Sequence, residues 1–334
     1  MRVLFICSAG HSGSTLLDLL LGSHPQAVSL GEITHLPKNL ALNTACTCGS
    51  PARECPVWSR VVDELSEQPE FRRVHVDPYV LHLGMIQASS VVDRRHQTLL
   101  RMWQRKLVYG LAFARFRWNV PVPAAWLGPL TRGAKNKLVL FGVISRLLSR
   151  SVLVDSSKHY LEAVSLYAQA PDVVRIVLLV RDGRAVYYSG RKRGQSRKAA
   201  LQAWKRPNER ALPILARRVA DEHLLRVRYE DLVAHPQEEL ERLCRFAGID
   251  FAPEMLRFTE REHHVLNGNR MRFGTRAVIV PDHSWQHALS ARELRDFDRR
   301  AGRLNRKLGY ESTPPGPSRA PAAPSGNSRR RGAA

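Results

Sequence analysis

Residues 2–15 read Arg2-Val3-Leu4-Phe5-Ile6-Cys7-Ser8-Ala9-Gly10-His11-Ser12-Gly13-Ser14-Thr15, a short apolar run followed at once by small and polar residues. The apolar run is typical of a buried β-strand, and the leucine-rich stretch Thr15–Leu21 that comes next is typical of a buried helix. A glycine-rich turn between a strand and a helix points successive backbone N–H groups at one spot, at the positive end of the helix dipole. The stretch therefore predicts an α/β fold with an anion-binding loop at Gly10–Thr15.

Further apolar runs alternate with helical patterns along the chain. The strands predicted after the first are Ala27–Leu30, Ser151–Asp155, Val173–Val180 and Leu224–Tyr229, and the helices between and after them include Tyr160–Ala170 and Gln237–Ala247. Residues from about 56 to 150 are predicted to be mostly helical, with a loop or lid at Trp118–Pro129. This alternation predicts a P-loop-like, three-layer α/β/α fold with a central parallel sheet and a mostly helical insertion.

The composition and the net charge predict the domain organisation and the kind of partner. We expect one domain over residues 1–311, followed by a tail at 312–334 whose Pro/Gly/Ser/Arg composition predicts disorder. The net charge of +22 favours anionic partners. The sequence has no zinc-finger spacing, no basic-region heptads and no RNA-binding aromatic motif, so we expect no nucleic-acid partner.

No run of about 18 apolar residues is present, and the first apolar run is too short for a signal peptide. The expected location is therefore the cytoplasm. The stretch Lys135–Arg150 is apolar with basic residues at both ends, and it could lie against a membrane surface. A core helix with solvated ends is the alternative interpretation.

Three of the five cysteines, Cys46, Cys48 and Cys55, lie within ten residues of one another. They could bind a metal together with a histidine such as His35, or two of them could form a disulfide. Their spacing fits no standard zinc pattern. We favour a structural role over a catalytic metal, and we expect no metal in the chemistry.

The Gly10–Thr15 loop offers several ligands to a phosphate. Gly10 and Gly13 allow the backbone to approach an anion closely, and Ser12, Ser14 and Thr15 add hydroxyl donors. The triphosphatase form of such a loop carries a lysine before its last hydroxyl residue, and that lysine is missing here. Hydrolysis of ATP or GTP is therefore disfavoured.

A second candidate site lies at Arg181–Ser189, which reads Arg-Asp-Gly-Arg-Ala-Val-Tyr-Tyr-Ser. Arg181 follows the most apolar predicted strand, and ligands in open α/β sheets bind at the carboxyl ends of the strands. Ser189 lies two helical turns further on, so both side chains can reach one phosphate.

Together with Arg228-Tyr229-Glu230-Asp231-Leu232, these two motifs have the order and spacing seen in sulfotransferases, and from Arg2 to about Tyr310 the chain resembles that family. Sulfotransferases use 3′-phosphoadenosine-5′-phosphosulfate (PAPS). The resemblance implies that Gly10–Thr15 holds the 5′-phosphosulfate, that Arg181 and Ser189 hold the 3′-phosphate, and that Tyr229 lies near the adenine.

Further stretches resemble the bacterial and Golgi-like branch of the family. Glu32 lies where that branch carries its catalytic glutamate, and Lys158 lies in a strand-end segment that carries an active-site lysine. Arg270 and Arg272 stand where the family closes a basic loop over the 3′-phosphate end.

The resemblance predicts an in-line transfer of a sulfuryl group to a hydroxyl or amine, with Glu32 as the general base. His159, adjacent to Lys158, is the rival base. Many members have a lysine or arginine where His11 stands, and histidine is largely neutral at pH 7. We therefore expect Lys158 to supply the missing charge.

The sequence leaves two other functions open. Asp155, at the end of a predicted strand, could be a magnesium ligand in an ATP-dependent phosphotransferase or kinase. A non-catalytic protein that binds anions or membranes is the second alternative.

The expected acceptor is a small molecule, a carbohydrate or a lipid, bound in the region of about 56–150. The aromatic residues there line an acceptor pocket or, as the safer assumption, belong to the core: Trp103, Tyr109, Phe113, Phe116, Trp118 and Trp126.

Overall fold

A computed structural model describes residues 1–84, 99–274 and 279–311, without the side chains of residues 99–102. In this part of the chain five parallel strands form one sheet in the order β2-β3-β1-β4-β5. The strands are β1 (Arg2–Ser8), β2 (Ala27–Ser29), β3 (Val152–Lys158), β4 (Val174–Val180) and β5 (Leu224–Arg228). The predicted α/β fold with a central parallel sheet is confirmed. The predicted disordered tail at 312–334 lies outside the described residues.

Helices connect the strands and cover both faces of the sheet. The first six are α1 (Ser14–Gly22), α2 (Leu36–Leu42), α3 (Pro56–Ser66), α4 (Leu99–Trp118), α5 (Gly128–Leu148) and α6 (Tyr160–Gln169). The next four are α7 (Gly183–Lys192), α8 (Arg197–Arg218), α9 (Tyr229–Ala234) and α10 (Pro236–Ala247). Three short helices follow: α11 (Ser284–Ala288), α12 (Ala291–Phe297) and α13 (Arg303–Lys307).

The alternation of side chains along each strand divides the core in two. Leu4 and Ile6 of β1 face the layer of α1 and α10, whereas Val3 and Phe5 face the layer that includes α5 and α6. Because both faces are covered, β1 and β4 are apolar almost throughout, as expected for inner strands of a parallel sheet.

Helix α5 belongs to the core. Its buried side chains include Leu140, Phe141 and Ile144, so the stretch Lys135–Arg150 packs against the sheet layer instead of presenting an apolar face to a membrane. Among the described residues, no helix is both long and apolar enough to cross a membrane. The interpretation as a core helix with solvated ends is the one that the packing supports.

Two predicted boundaries differ from the structure. Tyr229 begins α9 instead of ending β5, because the backbone turns helical directly after Arg228. The predicted loop Trp118–Pro129 is shorter than expected, since α4 continues to Trp118 and α5 already begins at Gly128 with Pro129 in its first turn. Proline is tolerated there because a first-turn N–H has no partner within the helix.

Candidate active site

The carboxyl ends of all five strands open into one cleft with a volume of about 360 Å³. Each strand is followed, at or just past its last residue, by a residue that the sequence singled out. Arranged by strand, these residues are the Gly10–Thr15 loop after β1, Glu32 after β2, Lys158 at the end of β3, Arg181 after β4 and Tyr229 after β5. Because β1 lies between β3 and β4, its loop is placed in the middle of this row.

The Gly10–Thr15 loop makes the sharp turn from β1 into α1. Gly13 has φ +92° and His11 has φ +65°, so the backbone reverses through left-handed conformations that direct it toward the start of the helix. Gly10, His11, Gly13, Ser14 and Thr15 line the cleft. Ser12 instead points into the protein, and within the described residues its buried hydroxyl has no hydrogen-bond partner.

The ring of Tyr229 lies directly on Gly13. A Cβ atom at position 13 would stand 2.3 Å from Tyr229 Cδ2, so only glycine permits this contact. The same ring also meets Arg181, whose Cζ lies 4.3 Å from the ring centroid. Tyr229 is thus in contact with both a guanidinium and the loop backbone.

Arg181 is buried and fixed from several sides. Its Nη1 donates to the carbonyl of His11 at 3.1 Å, and its Nη2 donates to Asp282 Oδ2 at 3.1 Å. Within the described residues, the Nε of Arg181 has no hydrogen-bond partner. Ser189, two turns into α7, lines the same cleft. The arginine is therefore held in place at the wall of the cleft.

Lys158 and Glu32 meet at the opposite wall of the cleft. The Nζ of Lys158 donates a hydrogen bond to Glu32 Oε1, and His35 Nε2 lies 3.6 Å from Glu32 Oε2. Both Lys158 and Gly31, the residue before Glu32, have positive φ angles of 73° and 63°. These turns direct the two side chains of neighbouring strands into one cavity, where a carboxylate and an ammonium lie side by side.

A buried charge cluster supports this wall from below. Lys137 of α5 is 2% exposed, and its Nζ lies 3.0 Å from Asp155 Oδ2 and 3.4 Å from Glu162 Oε2. Burial raises the pKa of the Asp155 carboxyl, and the Lys137 ammonium opposes that rise. Asp155 is thus paired with an ammonium inside the protein, which removes it as a magnesium ligand of a phosphotransferase.

His11 faces a cation that no sequence motif indicated. Arg193, just past the end of α7, places its Nη1 2.6 Å from Nδ1 and 3.0 Å from Nε2 of His11. Burial, followed by the positive charge of Arg193, lowers the pKa of His11. The imidazole is therefore neutral at pH 7, and Arg193 brings to the cleft the charge that a histidine cannot provide.

Besides Ser12, three predicted site residues lie outside the cleft lining. His159 is the N-cap residue of α6, stacks on Tyr160 with ring centroids 5.1 Å apart, and has its pKa lowered by burial. Arg270 and Arg272 belong to a short 3-10 turn, and Arg272 Nη1 donates to the carbonyl of Gly268 at 2.9 Å. Gly268, Asn269 and Met271 of the same segment do line the cleft.

A comparison with protein-family models gives a match over residues 4–253, to the model described as the sulfotransferase family. The matched range is about three quarters of the chain and contains the loop, Glu32, Lys158, Arg181 and Tyr229. The chain belongs to the sulfotransferase family. No curated protein matches the sequence significantly.

Solved structures provide distant likenesses to this sulfotransferase. The sulfotransferase domain from the curacin biosynthetic pathway is 21% identical, with 93% of this chain and 99% of that chain covered and a TM-score of 0.47. The sulfotransferase domain from the Synechococcus PCC 7002 olefin synthase is 21% identical, with 93% and 95% covered and a TM-score of 0.48. A sulfotransferase from Alicyclobacillus acidocaldarius is 11% identical, with 93% and 97% covered and a TM-score of 0.42. With TM-scores below 0.5 these likenesses carry no argument of their own.

The sulfotransferase cleft also contains residues that no motif identified. Besides Arg193, they are Asn269 and Met271, which line the cleft, and Asp282, which pairs with Arg181. The backbone N–H of Asn269 donates to Thr15 Oγ1 at 3.0 Å, so a segment more than 250 residues away closes over the loop. In this segment the sequence predicts only Arg270 and Arg272 as site residues.

The cysteine cluster has a different partner from the one expected. His264, not His35, stands beside Cys46, Cys48 and Cys55, because His35 is turned toward Glu32. All five cysteines are free, so no disulfide joins them.

The aromatic residues of the helical region differ in their exposure to solvent. Trp103, Trp118 and Trp126 are exposed, whereas Tyr109, Phe113 and Phe116 pack against the core. The assumption that all of them belong to the core is therefore correct only for the second group.

Proposed function

We propose that this sulfotransferase moves the sulfuryl group of PAPS to a hydroxyl or amine of a small-molecule, carbohydrate or lipid acceptor. One observation carries the proposal: the phosphate loop, a carboxylate–ammonium pair and a fixed arginine beside an aromatic ring line the same cleft. ATP-dependent phosphotransfer is not favoured, because the family is that of sulfotransferases and Asp155 is paired with Lys137.

In the proposed complex, backbone amides and hydroxyls of Gly10–Thr15 bind the 5′-phosphosulfate at the start of α1. Arg181 and Ser189 bind the 3′-phosphate. The support is that both line the cleft and that the Arg181 guanidinium is already oriented by Asp282 and by the His11 carbonyl. Tyr229 lies near the adenine, and Arg270 and Arg272 close over the 3′-phosphate end from the segment that begins at Asn269.

In the proposed reaction, the acceptor oxygen or nitrogen attacks sulfur in line with the bond between sulfur and the bridging phosphate oxygen. The new bond to sulfur forms as that bond breaks, adenosine 3′,5′-bisphosphate (PAP) departs, and the acceptor proton passes to Glu32. Negative charge develops on the bridging oxygen, and Lys158, Arg193 and the loop amides stabilise it there.

Position favours Glu32 over His159 as the base. Glu32 accepts a hydrogen bond from the Lys158 side chain at the wall of the cleft. Glu32 also lines the cleft, whereas His159 is stacked on Tyr160 beside Tyr109 and is not among the cleft-lining residues. Position is the first requirement of a general base, and Glu32 meets it.

The direct experiment is a screen of acceptors with PAPS labelled in its sulfuryl group, run in parallel with the Glu32→Gln variant as the blank. Transfer of label by the wild-type chain and not by the variant supports the proposal. Calorimetric titration with PAP, and separately with ATP and Mg²⁺, tests the nucleotide independently of the acceptor. Binding of ATP and Mg²⁺ without binding of PAP would overturn the proposal.

A further inference from the structure

A cluster of three cysteines and one histidine lies outside the reaction described above. Its ligand atoms, the Sγ of Cys46, Cys48 and Cys55 and a ring nitrogen of His264, all lie within 4.8 Å of one another. Cys46 and Cys55 are completely buried, and the other two residues are half-buried. We propose that these four residues bind one Zn²⁺ ion as a structural site.

Two distances within the cluster are close to the edges of a tetrahedral zinc site. With Zn–S bonds of about 2.3 Å and Zn–N bonds of about 2.0–2.1 Å, a tetrahedron has S···S edges of about 3.8 Å and S···N edges of about 3.6 Å. The Sγ atoms of Cys48 and Cys55 are 3.8 Å apart, and Cys55 Sγ is 3.3 Å from His264 Nδ1. A disulfide would need sulfur atoms about 2.05 Å apart.

The backbone presents the thiols from a compact turn. An antiparallel bridge joins Ala45 to Pro51, the N–H of Cys46 donates to the carbonyl of Ser50 at 2.9 Å, and Gly49 turns the chain with φ +92°. Cys55 then stands at the N-cap of α3, where the free N–H groups of the helix favour a thiolate. Thiolate sulfur is the ligand type that zinc prefers in structural sites.

His264 is oriented as a metal ligand from its other side. With Nδ1 directed at the thiols, its Nε2 faces Glu262 Oε1 at 3.7 Å, and a carboxylate behind a histidine ligand is the usual arrangement at metal sites. The backbone is also fixed, because Trp58 Nε1 donates to the carbonyl of His264 at 2.7 Å and the N–H of Val265 donates to Thr47 Oγ1 at 2.9 Å.

The position of the cluster indicates which segments a bound zinc would hold together. It joins the turn at 44–55 to the segment at 263–269, which lies more than 200 residues later in the chain. That segment passes over Gly31, where a Cβ atom would stand 2.6 Å from Val265 Cγ1, and then reaches Thr15 of the phosphate loop. The metal would thus fasten the segment that closes one side of the nucleotide cleft.

The test is the metal content of the full chain, expressed in zinc-supplemented medium and purified without chelators or a histidine tag. We expect about one zinc per chain by plasma mass spectrometry, and a loss of at least tenfold in Cys48→Ser and in His264→Ala. Cys244→Ala, which removes a buried thiol elsewhere in the core, should keep the full content.

Reconstitution with Co²⁺ keeps the proposal testable if a variant fails to fold. When Co²⁺ is added to the metal-free wild-type chain, the thiolate charge-transfer absorption and the intense visible bands of tetrahedral cobalt should appear. The unfolding temperature of the chain should fall on metal removal and recover when Zn²⁺ is added. Reduced thiols without zinc or cobalt binding, or a disulfide between any two of the three cysteines, would overturn the proposal.

Discussion

The Nζ of Lys158 donates a hydrogen bond to Oε1 of Glu32, and this contact joins the ends of β3 and β2 across the mouth of the cleft. The two side chains line the cleft together. In the proposed reaction the pair would supply both the base and a counter-charge for the departing phosphate within one site.

Replacing Glu32 by glutamine should lower kcat by about 10²–10⁴-fold, the usual contribution of a general base. The affinity for PAP should remain within about twofold, because the side chain keeps its shape and the nucleotide is held elsewhere. Steady-state kinetics and calorimetry measure the two quantities. Glu260→Gln, an exposed carboxylate, is the control. Near-normal turnover in Glu32→Gln, with turnover lost in His159→Ala, would assign the base to His159.

Arg181→Lys and Ser189→Ala should weaken the binding of PAP and leave the binding of AMP unchanged, because AMP lacks the 3′-phosphate. A charge-assisted hydrogen bond contributes about 1.5–3 kcal/mol, so the lysine variant should lose about 10–100-fold in affinity for PAP. Titration of both nucleotides against each variant separates the two phosphates. An equal loss of affinity for PAP and AMP would show that Arg181 does not bind the 3′-phosphate.

The sequence revealed the parts of this site that are local. A strand, a glycine-rich turn and a helix occur within residues 2–21, and Arg181 and Ser189 lie only eight residues apart, so their spacing carries the signal. Strand β4 is also recognisable from the sequence, because its apolar residues are contiguous.

The contacts that the sequence did not reveal are made between distant segments. Arg193 is one of 52 lysines and arginines, and only the fold shows that it reaches His11. His264 lies 209 residues from Cys55, and nothing in the cysteine spacing points to it. The closure of Asn269 over Thr15 likewise depends on how the chain returns, which no local pattern specifies.

Arg193→Gln should lower kcat by about tenfold or more, since it removes a cation from the wall that faces the transferred group. It should also raise the pKa of His11, because the positive charge of Arg193 is one of the causes that lower it. Kinetics and the NMR titration of the His11 ring measure the two effects. Lys192→Gln, the neighbouring residue, is the matched control. If Lys158→Ala left turnover unchanged while His11→Ala abolished it, the histidine would carry the role assigned to Lys158.

Lys137→Met should destabilise the fold by about 3–5 kcal/mol, because it leaves the buried carboxylates of Asp155 and Glu162 without their cation. Lys135→Met, two residues earlier on the exposed side of α5, should change the free energy of unfolding by less than about 0.5 kcal/mol. Denaturant titration gives both values. Equal stabilities for the two variants would show that the buried ammonium is not needed by its partners.

Asp18 should make the stability of the protein depend on pH. It is buried in α1, where it accepts a hydrogen bond from Ser29, and burial raises its pKa from 3.8 to about 8. Because the folded-state pKa lies above the unfolded one, the folded chain keeps a proton that the unfolded chain releases. The contribution of Asp18 to stability is therefore full below about pH 4 and falls as pH rises toward 8, by up to about 1.4 kcal/mol per pH unit.

Asp18→Asn mimics the protonated side chain and should remove this slope. The variant should be more stable than the wild-type protein at pH 8, and the difference should shrink steadily toward pH 5. Urea unfolding at a series of pH values measures it, with Asp63→Asn, an exposed carboxylate, as the control. All other groups titrate alike in the two proteins, so the difference isolates Asp18. A difference that stays constant between pH 5 and pH 8 would contradict a raised pKa at this position.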